Sequence, residues 1–226
     1  MQKDASPTFQ NPITVLLADD HPTTRAGIRT ILHEAPDIQV VGEAENGFQV
    51  QEMISELQPN ILLLDLVMPG PTPAQLEKWV RTNFPKTITL VLTAHDRDAY
   101  LANMMDAGVS GFLSKTETGE RLITAIRCAA RGSSLFTDEQ FQRATRWREG
   151  AGRKWGDLTN RERQILHLLT EEGCDNKCIA EKLGITIKTT AYHITNILKK
   201  LDVKSRHEAI TWAHKYLSDN LEQLPD

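Results

Sequence analysis

Short apolar runs alternate with segments of helical periodicity between Ile13 and about Arg131. The runs are ITVLLADD, IQVVGEA, NILLLDL, TITLVLTA and GFLSK. The segments between them carry apolar residues three and four positions apart, as at Val50, Met53 and Ile54, which is the spacing of one helix face. Runs that are apolar throughout are typical of parallel strands covered on both faces. The pattern therefore predicts a doubly wound α/β domain with a five-stranded parallel sheet.

The alternation ends after Arg131, in a stretch that we interpret as a linker. Glycine and serines open it at residues 132–134, and the sequence GAGR closes it at 150–153. The intervening TDEQFQRATRWRE predicts one exposed helix with Phe141, Ala144 and Thr145 on one side. We therefore expect a linker over residues 132–156 with a helical middle.

Four short helical patterns follow the linker, each with a recognisable start. The start signals are the capping-box pairs Thr159–Glu162 and Ser205–Glu208 and the N-cap residues Asp175 and Thr186. Side chains of these types satisfy backbone N–H groups that the first turn of a helix leaves without partners. The pattern predicts a small all-α domain over residues 157–220, followed by a tail at 221–226.

Composition is that of an ordinary globular protein. Of the 226 residues 40% are hydrophobic and 25% are charged, and no apolar run approaches the ~18 residues of a membrane helix, so a membrane span is excluded. The opening MQKDASPTFQ lacks an apolar segment, so we interpret residues 1–11 as a flexible tail of a cytoplasmic protein rather than a signal peptide. Three cysteines, Cys128, Cys174 and Cys178, are a sparse, odd count that argues against a disulfide framework and suits a reducing compartment.

Charge is unevenly distributed, although the net charge is only -4. Residues 12–130 carry 9 lysines and arginines against 15 aspartates and glutamates, residues 131–155 carry 6 against 3, and residues 156–218 carry 10 against 8. A weakly basic second half joined to an acidic first half is expected if only the second half meets a polyanion.

Polar residues stand where the predicted strands end. Open parallel sheets bind ligands at the carboxyl ends of their strands, and the residues at those ends are Asp19, Asp20, Asp65, Thr93 and Lys115. Clustered carboxylates repel one another unless a cation neutralises them, and oxygen ligands favour a hard ion such as Mg²⁺. The sequence thus predicts a phosphate-handling site, although single acidic residues also end strands because loops are solvated.

Asp65 is the best-placed nucleophile, because it ends the central strand run and an aspartate carboxylate can attack a phosphoryl group. Lys115 would pair with one phosphoryl oxygen, and Thr93 would donate a hydrogen bond to another. A phosphatase-like enzyme is a rival interpretation. It needs a second acid just after the nucleophile, and Leu66 and Val67 supply none, so we expect a protein that is not an enzyme.

These motifs resemble the receiver domain of bacterial two-component response regulators. LLADDHP, ILLLDLVMPG, the Thr-Ala pair of LVLTAHD and GFLSK occur in the family's order and spacing, over about residues 12–131. The resemblance implies a flavodoxin-like fold and phosphorylation by a histidine kinase at Asp65. It also implies that Mg²⁺ is held by Asp20, Asp65 and the Val67 carbonyl, with Asp19 contributing directly or through water.

The resemblance further implies a switch beside the phosphorylated residue. Ala94 follows Thr93 at the phosphate-binding edge, and Phe112 matches the aromatic residue that moves inward together with Thr93 when phosphate is bound. The loop after the third strand departs from the family, because it reads PGPTPAQLE instead of a hydrophobic residue, an acid and a glycine. Its prolines stiffen the loop, and Thr72 can cap the next helix.

Residues 175–183 and 186–201 predict two helices joined by a turn at Gly184, with the small Ala180 at their crossing. Such a unit can place its second helix in the major groove of DNA, although a plain helical hairpin gives the same pattern. The fuller sequence LTNRERQILHLLTEEGCDNKCIAEKLGITIKTTAYHITNILKKLDVKSRHEAI resembles the LuxR-type helix-turn-helix. Joined to a receiver, this half is similar to that of the NarL/FixJ class of response regulators.

Candidate DNA contacts lie in the second of these helices. They are Lys188, Thr189, Thr190, Tyr192, His193, Asn196, Lys199 and Lys200. Lysines and hydroxyl groups can hold phosphates, whereas only side chains near the front of the helix reach base edges. Ala191 replaces a lysine that the family commonly uses for DNA contact, so the operator cannot be carried over from relatives. His193 either reads a base or packs within the domain.

Two cysteines near His167 raise zinc binding as an alternative to simple packing. Cys174 and Cys178 lie four residues apart, and no C-x-x-C spacing is present. Because paired zinc ligands usually have that closer spacing, we favour packing.

The last helical pattern offers a candidate dimer interface. Its apolar positions are Ile210, Trp212, Ala213, Tyr216 and Leu217. Part of this stripe must complete a small core, and the remainder would suit a two-fold homodimer on paired DNA half-sites.

Together these features predict a transcription regulator. Phosphorylation of Asp65 would repack Phe112 and thereby control dimerisation and binding to double-stranded DNA. The alternative is a receiver-type signalling protein whose C-terminal helices dock a protein rather than DNA.

Overall fold

Parallel strands form one sheet in the N-terminal half of the computed structural model, which describes residues 12–170 and 172–217. The predicted tails at 1–11 and 221–226 lie outside the described residues. Within those ranges the strands are β1 (Ile13–Ala18), β2 (Ile38–Ala44), β3 (Ile61–Leu64), β4 (Ile88–Thr93) and β5 (Gly111–Ser114). The sheet order is β2-β1-β3-β4-β5, and all neighbouring strands are parallel. The predicted doubly wound fold is confirmed.

A helix follows each of these strands. The helices are α1 (Pro22–His33), α2 (Gly47–Leu57), α3 (Pro73–Asn83), α4 (Asp98–Ala107) and α5 (Gly119–Ala130). All four side chains of β3 are fully buried, as expected for a central strand covered on both faces. Leu32 of α1 and Ile126 of α5 pack into one core cluster with Val15 and Leu63.

The proline-rich loop before α3 ends in the predicted cap. Thr72 accepts a hydrogen bond from the Gln75 backbone N–H, and the Gln75 side chain accepts one from the Thr72 backbone N–H. This reciprocal pair satisfies two donors at the helix start, and Pro73 occupies the first turn, where its missing N–H costs nothing.

Strand register brings the predicted polar residues to one edge of the sheet. Ala18 pairs with Leu64, and Thr93 pairs with Ser114. The residues that follow these strand ends therefore leave the sheet on the same side.

Helices make up the described part of the C-terminal half. They are α6 (Asp138–Glu149), α7 (Ala151–Gly156), α8 (Asn160–Thr170), α9 (Asn176–Leu183), α10 (Ile187–Leu201) and α11 (Arg206–Tyr216). The four predicted helices correspond to α8–α11. Asp175 accepts a hydrogen bond from the Cys178 backbone N–H, and Thr186 accepts one from Thr189. Gly184 ends α9 with a φ of 63°, in the left-handed region that glycine adopts without strain.

The stretch expected to be an exposed linker contains two helices with buried side chains. Ala144 and Trp147 of α6 and Trp155 of α7 are all buried, whereas Phe141 is 48% exposed. The expectation of one exposed helix was wrong. Ala144, Trp147 and Trp155 are buried, although the many charged residues around them in the sequence suggested an exposed helix.

A disulfide joins Cys174 to Cys178 at the start of α9. The cysteine count argued against a disulfide framework, and this pair is a single local link between residues four positions apart. A bonded pair of sulfurs also cannot serve as two thiolate ligands, which removes the zinc alternative in this state. Cys128 is a free, half-buried cysteine.

The described residues divide into two compact units, one comprising residues 12–96 and 104–137 and the other residues 97–103, 138–170 and 172–217. In the described part of the chain, no helix combines the length and apolar character needed to cross a membrane.

Candidate functional site

Two buried aspartates and one lysine meet at the carboxyl edge of the sheet. Lys115 Nζ lies 2.7 Å from Asp19 Oδ2 and 2.7 Å from Asp65 Oδ2. Asp19 is 1% exposed and Asp65 is 4% exposed. One ammonium thus faces two carboxylates, and the trio carries a net negative charge.

Backbone groups orient both carboxylates. Asp19 Oδ1 accepts a hydrogen bond from the His21 N–H at 2.9 Å, and Asp65 Oδ1 accepts one from the Leu66 N–H at 2.8 Å. The other oxygen of each carboxylate is therefore directed towards Lys115. This arrangement fixes the two side chains before any ligand arrives.

The charge of Lys115 responds to these neighbours. Burial opposes the ammonium form, but hydrogen bonds and Coulomb attraction from Asp19 and Asp65 outweigh it and raise the pKa of Lys115. Lys115 is therefore a cation at neutral pH, suited to hold an anionic group at this edge.

Arg25 supports the pocket from α1, and sequence reasoning missed it. Its guanidinium donates to the Asp19 carbonyl at 2.6 Å and to Glu45 Oε1 at 2.5 Å, and the residue is 7% exposed. No local sequence pattern signals this role, because the Glu45 partner lies twenty residues away, just after β2.

Four side chains at this edge could hold a metal ion. One ligand atom from each of Asp19, Asp20, His21 and Asp65 lies within 4.8 Å of the others. His21 Nδ1 lies 2.6 Å from Asp20 Oδ1. His21 was not predicted, although it stands directly after the two aspartates. The three carboxylates form an oxygen-rich set that fits a hard divalent ion, and the half-buried Val67 lies two residues beyond Asp65.

The predicted switch residues differ in exposure. Thr93 is fully buried, and its hydroxyl accepts a hydrogen bond from the His95 N–H at 3.1 Å. Phe112 is 2% exposed and so already lies inward in this structure. Ala94 is exposed at the end of β4. A hydroxyl that accepts one hydrogen bond can still donate its own proton. Thr93 can therefore still donate the predicted hydrogen bond to a phosphoryl oxygen.

The predicted DNA-contact residues of α10 fall on two sides of the helix. Thr190 is fully buried, and its hydroxyl donates to the Thr186 carbonyl at 3.2 Å. Lys200 Nζ lies 2.7 Å from Glu162 Oε2, which is buried in the same unit. The structure thus removes Thr190 from the contact surface and assigns Lys200 an internal ion pair.

The remaining predicted contacts are accessible to different degrees. His193 and Asn196 are half-buried, as is Thr189. The side chains on the exposed face of α10 are Ile187, Lys188, Ala191, Tyr192, Thr195 and Lys199. Of these, Ile187, Ala191 and Thr195 were not among the predicted contacts.

The candidate dimer stripe of α11 is largely used inside its own unit. Trp212, Ala213 and Leu217 are 8%, 2% and 0% exposed. They complete the core, as expected for part of the stripe, and are therefore not available for an interface. Ile210 and Tyr216 stay half-buried.

Comparison with known proteins assigns both halves of the chain. Residues 15–127 match the response regulator receiver domain, and residues 157–213 match the luxR family of bacterial regulatory proteins. The nitrate/nitrite response regulator NarL of Escherichia coli K12 is 36% identical over 215 residues, covering 91% of this chain and 97% of NarL. The chain is a response regulator of the NarL/FixJ class. This confirms the family that the sequence motifs resemble.

Solved structures of related response regulators agree with this assignment. RcsB of Salmonella enterica serovar Typhimurium, bound to a promoter in the presence of phosphomimetic BeF₃⁻, is 27% identical with a TM-score of 0.57. The match covers 89% of this chain and 98% of that chain. A structure of two RcsB dimers bound to two parallel DNAs also has a TM-score of 0.57, at 26% identity and 89% and 98% coverage. This response regulator therefore combines a receiver with a LuxR-type DNA-binding domain and regulates transcription.

Proposed function

We propose that Asp65 accepts a phosphoryl group from a histidine kinase and that phosphorylation controls DNA binding by the C-terminal helices. The observation that carries this proposal is the buried Asp65 carboxylate held beside Lys115 and two further aspartates. The working domains are a receiver at 12–131, a connecting segment at 132–156 and a DNA-binding domain at 157–220. Binding to chromosomal DNA makes the cytoplasm the expected site of action.

Phosphoryl transfer uses the Asp65 side chain as nucleophile. A carboxylate oxygen forms a bond to phosphorus while the phosphorus–nitrogen bond of a phosphohistidine breaks, and the imidazole leaves with the bonding electrons and takes up a proton. Lys115 then pairs with an oxygen of the new acyl phosphate, and Thr93 donates to another. Asp65 thereby exchanges its own contact with Lys115 for one through the phosphoryl group.

A divalent cation completes this pocket. Asp19, Asp20, Asp65 and the Val67 carbonyl would hold Mg²⁺, which when bound neutralises negative charge on the transferred group. The excess of carboxylates over ammonium groups is what favours a cation here. His21, already beside Asp20, would position that carboxylate.

The signal would leave the pocket through neighbouring strand ends. A phosphoryl group adds about -1.5 to -2 charges and three acceptor oxygens, which draws the Thr93 hydroxyl and the Ala94 backbone towards it. Phe112, next to this edge on β5, is proposed to keep its inward position once Thr93 has moved. Movement of Thr93 beside Phe112 would repack this surface and release the DNA-binding domain to dimerise.

The recognition helix is proposed to be α10. Lys188, Thr189 and Lys199 would contact phosphates. Tyr192, which is exposed, and His193 and Asn196, which are half-buried, would approach base edges. RcsB binds DNA as dimers, and a homodimer of this chain would likewise read paired half-sites. Ile210 and Tyr216 are the residues of the predicted stripe that remain available for it.

The phosphoacceptor is tested by labelling with a small phosphodonor. Replacement of Asp65 by Asn should abolish acid-labile labelling, because an amide cannot form the acyl phosphate. Asp106→Asn, at an exposed aspartate of α4, is the matched control and should label as the native protein does. Persistent labelling of Asp65→Asn would place the nucleophile elsewhere.

The coupling is tested by DNA affinity with and without beryllofluoride. The mimic should strengthen binding of the native protein to selected duplexes but leave Asp65→Asn unchanged. Affinity should also fall steeply with salt, because each neutralised phosphate releases counterions. Equal affinity with and without the mimic would refute control by phosphorylation.

A further inference from the structure

The exposed face of α10 carries apolar side chains in its N-terminal half. Ile187 is 53% exposed and Tyr192 is 65% exposed, and Ala191 between them is also exposed. Ile187 and Tyr192 are among the most exposed large hydrophobic residues described in the chain. Exposed apolar side chains grouped on one helix face indicate contact with a partner.

Two lysines on the same face flank Ala191 and Tyr192. Lys188 stands at the first turn of α10 and Lys199 at its last turn, and both are exposed. Eleven residues of helix separate them by about 16 Å, comparable with the roughly 12 Å width of the DNA major groove. The fifteen residues of α10 include no aspartate or glutamate, so the face suits a polyanion rather than a basic protein.

We propose that Ala191 and Tyr192 read thymine methyl groups, so that this protein selects half-sites with thymine at the centre of each contact. The inference rests on the proposed entry of α10 into the major groove and specifies what it recognises there. Thymine alone presents an apolar group on the major-groove edge of a standard base pair.

The chemistry of the face supports thymine over guanine. Guanine is read chiefly by arginine or lysine through O6 and N7, and no cationic side chain occupies positions 191, 192 or 195. Ala191 leaves room for a methyl group beside the helix backbone, and the exposed Tyr192 ring offers it an apolar surface. Thr195, one turn further along, presents another methyl group and a hydroxyl.

The test begins with selection from random duplexes by the native protein with beryllofluoride bound. Thymine should be enriched at fixed positions in each half-site. Replacing one of these thymines by uracil removes only the methyl group and should weaken binding roughly fourfold, the equivalent of one buried methylene. Uracil outside the enriched positions should have no effect.

Two variants assign the contact to these residues. Tyr192→Ala should abolish the difference between thymine and uracil at one position, whereas Phe141→Ala, at an exposed aromatic residue of α6, should preserve it. Ala191→Lys should shift selection towards guanine by roughly tenfold at the neighbouring position. Thermal unfolding of each variant checks that the domain remains folded.

The outcomes separate the inference from the proposed function. Salt-dependent DNA binding with no enrichment of thymine, or with equal affinity for thymine and uracil, would overturn the inference and leave DNA binding intact. Failure to bind any duplex, with or without beryllofluoride, would overturn both.

Discussion

Lys115 in the receiver and Lys200 in the helical domain each lie 2.7 Å from a buried carboxylate. Glu162 has three donors on one oxygen, because its Oε2 accepts hydrogen bonds from the Thr159 N–H, the Thr159 hydroxyl and Lys200. Asp65 shares its lysine with Asp19. One pair is therefore balanced in charge, and the other has a carboxylate in excess.

This difference in charge balance distinguishes the structural ion pair of Lys200 and Glu162 from the binding site around Lys115. A balanced pair gains nothing from a further cation, whereas two carboxylates around one ammonium attract a divalent ion and can exchange partners when a phosphoryl group arrives. A third buried carboxylate extends the comparison. Glu77 of α3 is 2% exposed, and its Oε2 has no hydrogen-bond partner in the described part of the chain.

Removing the receiver lysine should have the largest effect. Lys115→Met keeps the apolar stem but leaves two buried aspartates without their cation, which should cost about 3 to 4 kcal/mol in the free energy of unfolding. Millimolar Mg²⁺ should recover most of this loss, because a divalent ion replaces the missing positive charge. Urea unfolding with and without Mg²⁺ measures both, and a loss that Mg²⁺ does not reduce would contradict the metal site.

Neutralising the third carboxylate should stabilise the receiver at higher pH. Burial raises the pKa of Glu77 to about 7, against smaller lowering by the Thr89 hydroxyl and Arg81. The folded protein thus binds a proton that the unfolded chain loses near pH 4.5, and stability falls as the pH rises from about 4.5 to about 7. Glu77→Gln should remove this dependence and gain up to about 3 kcal/mol at pH 8.

Urea unfolding over pH 4 to 8 measures the effect at Glu77. Glu52→Gln, at an exposed glutamate of α2, is the control and should keep the native pH dependence. An identical pH profile for Glu77→Gln and the native protein would show that folding does not raise the pKa of Glu77.

Removing the lysine of the balanced pair should destabilise only the helical domain. Lys200→Met leaves the Glu162 carboxylate with its Thr159 partners alone, and because the Lys200 side chain is 33% exposed we expect a loss of about 2 kcal/mol. Mg²⁺ should not recover it. Recovery by Mg²⁺ to the extent expected for Lys115→Met would abolish the distinction between the two pairs.

The pH dependence of Lys200→Met follows from Glu162. Burial opposes its charge, but hydrogen bonds from Lys200 and Thr159 outweigh burial and lower the pKa of Glu162. The stabilisation is therefore present above about pH 4.5 and is lost as the pH falls through the lower folded value. The difference between Lys200→Met and the native protein should shrink over that acidic range.

The receiver pocket was predictable because strand ends determine it. Once the apolar runs are recognised as parallel strands, Asp19, Asp65 and Lys115 must leave the sheet at one edge. Arg25 was missed because its role depends on partners in the following strand and loop, at Glu43 and Glu45. Those contacts depend on tertiary packing, and no local sequence pattern predicts them.

The exposed face of the recognition helix was less predictable, because it depends on which side of α10 packs against the other helices of its domain. Thr190 lies seven residues before Ile197 and eleven before Leu201, both fully buried, a spacing that places all three on one face. That signal was present in the sequence but was overlooked because threonine is polar. The partner of Lys200 lies 38 residues away in Glu162, a separation that helical periodicity does not connect.

The smallest effect is expected from a substitution on the buried face of α10, compared with one on its exposed face. Thr190→Val preserves the buried shape and removes a hydroxyl whose acceptor, the Thr186 carbonyl, also accepts the Thr190 N–H at 2.9 Å. Because that carbonyl still accepts the Thr190 N–H, the free energy of unfolding should fall by less than about 1 kcal/mol. DNA affinity should be unchanged. Tyr192→Ala should do the reverse, weakening DNA binding without altering stability, because its side chain projects into solvent. Weaker DNA binding by Thr190→Val at unchanged stability would mean that the buried face of α10 takes part in recognition.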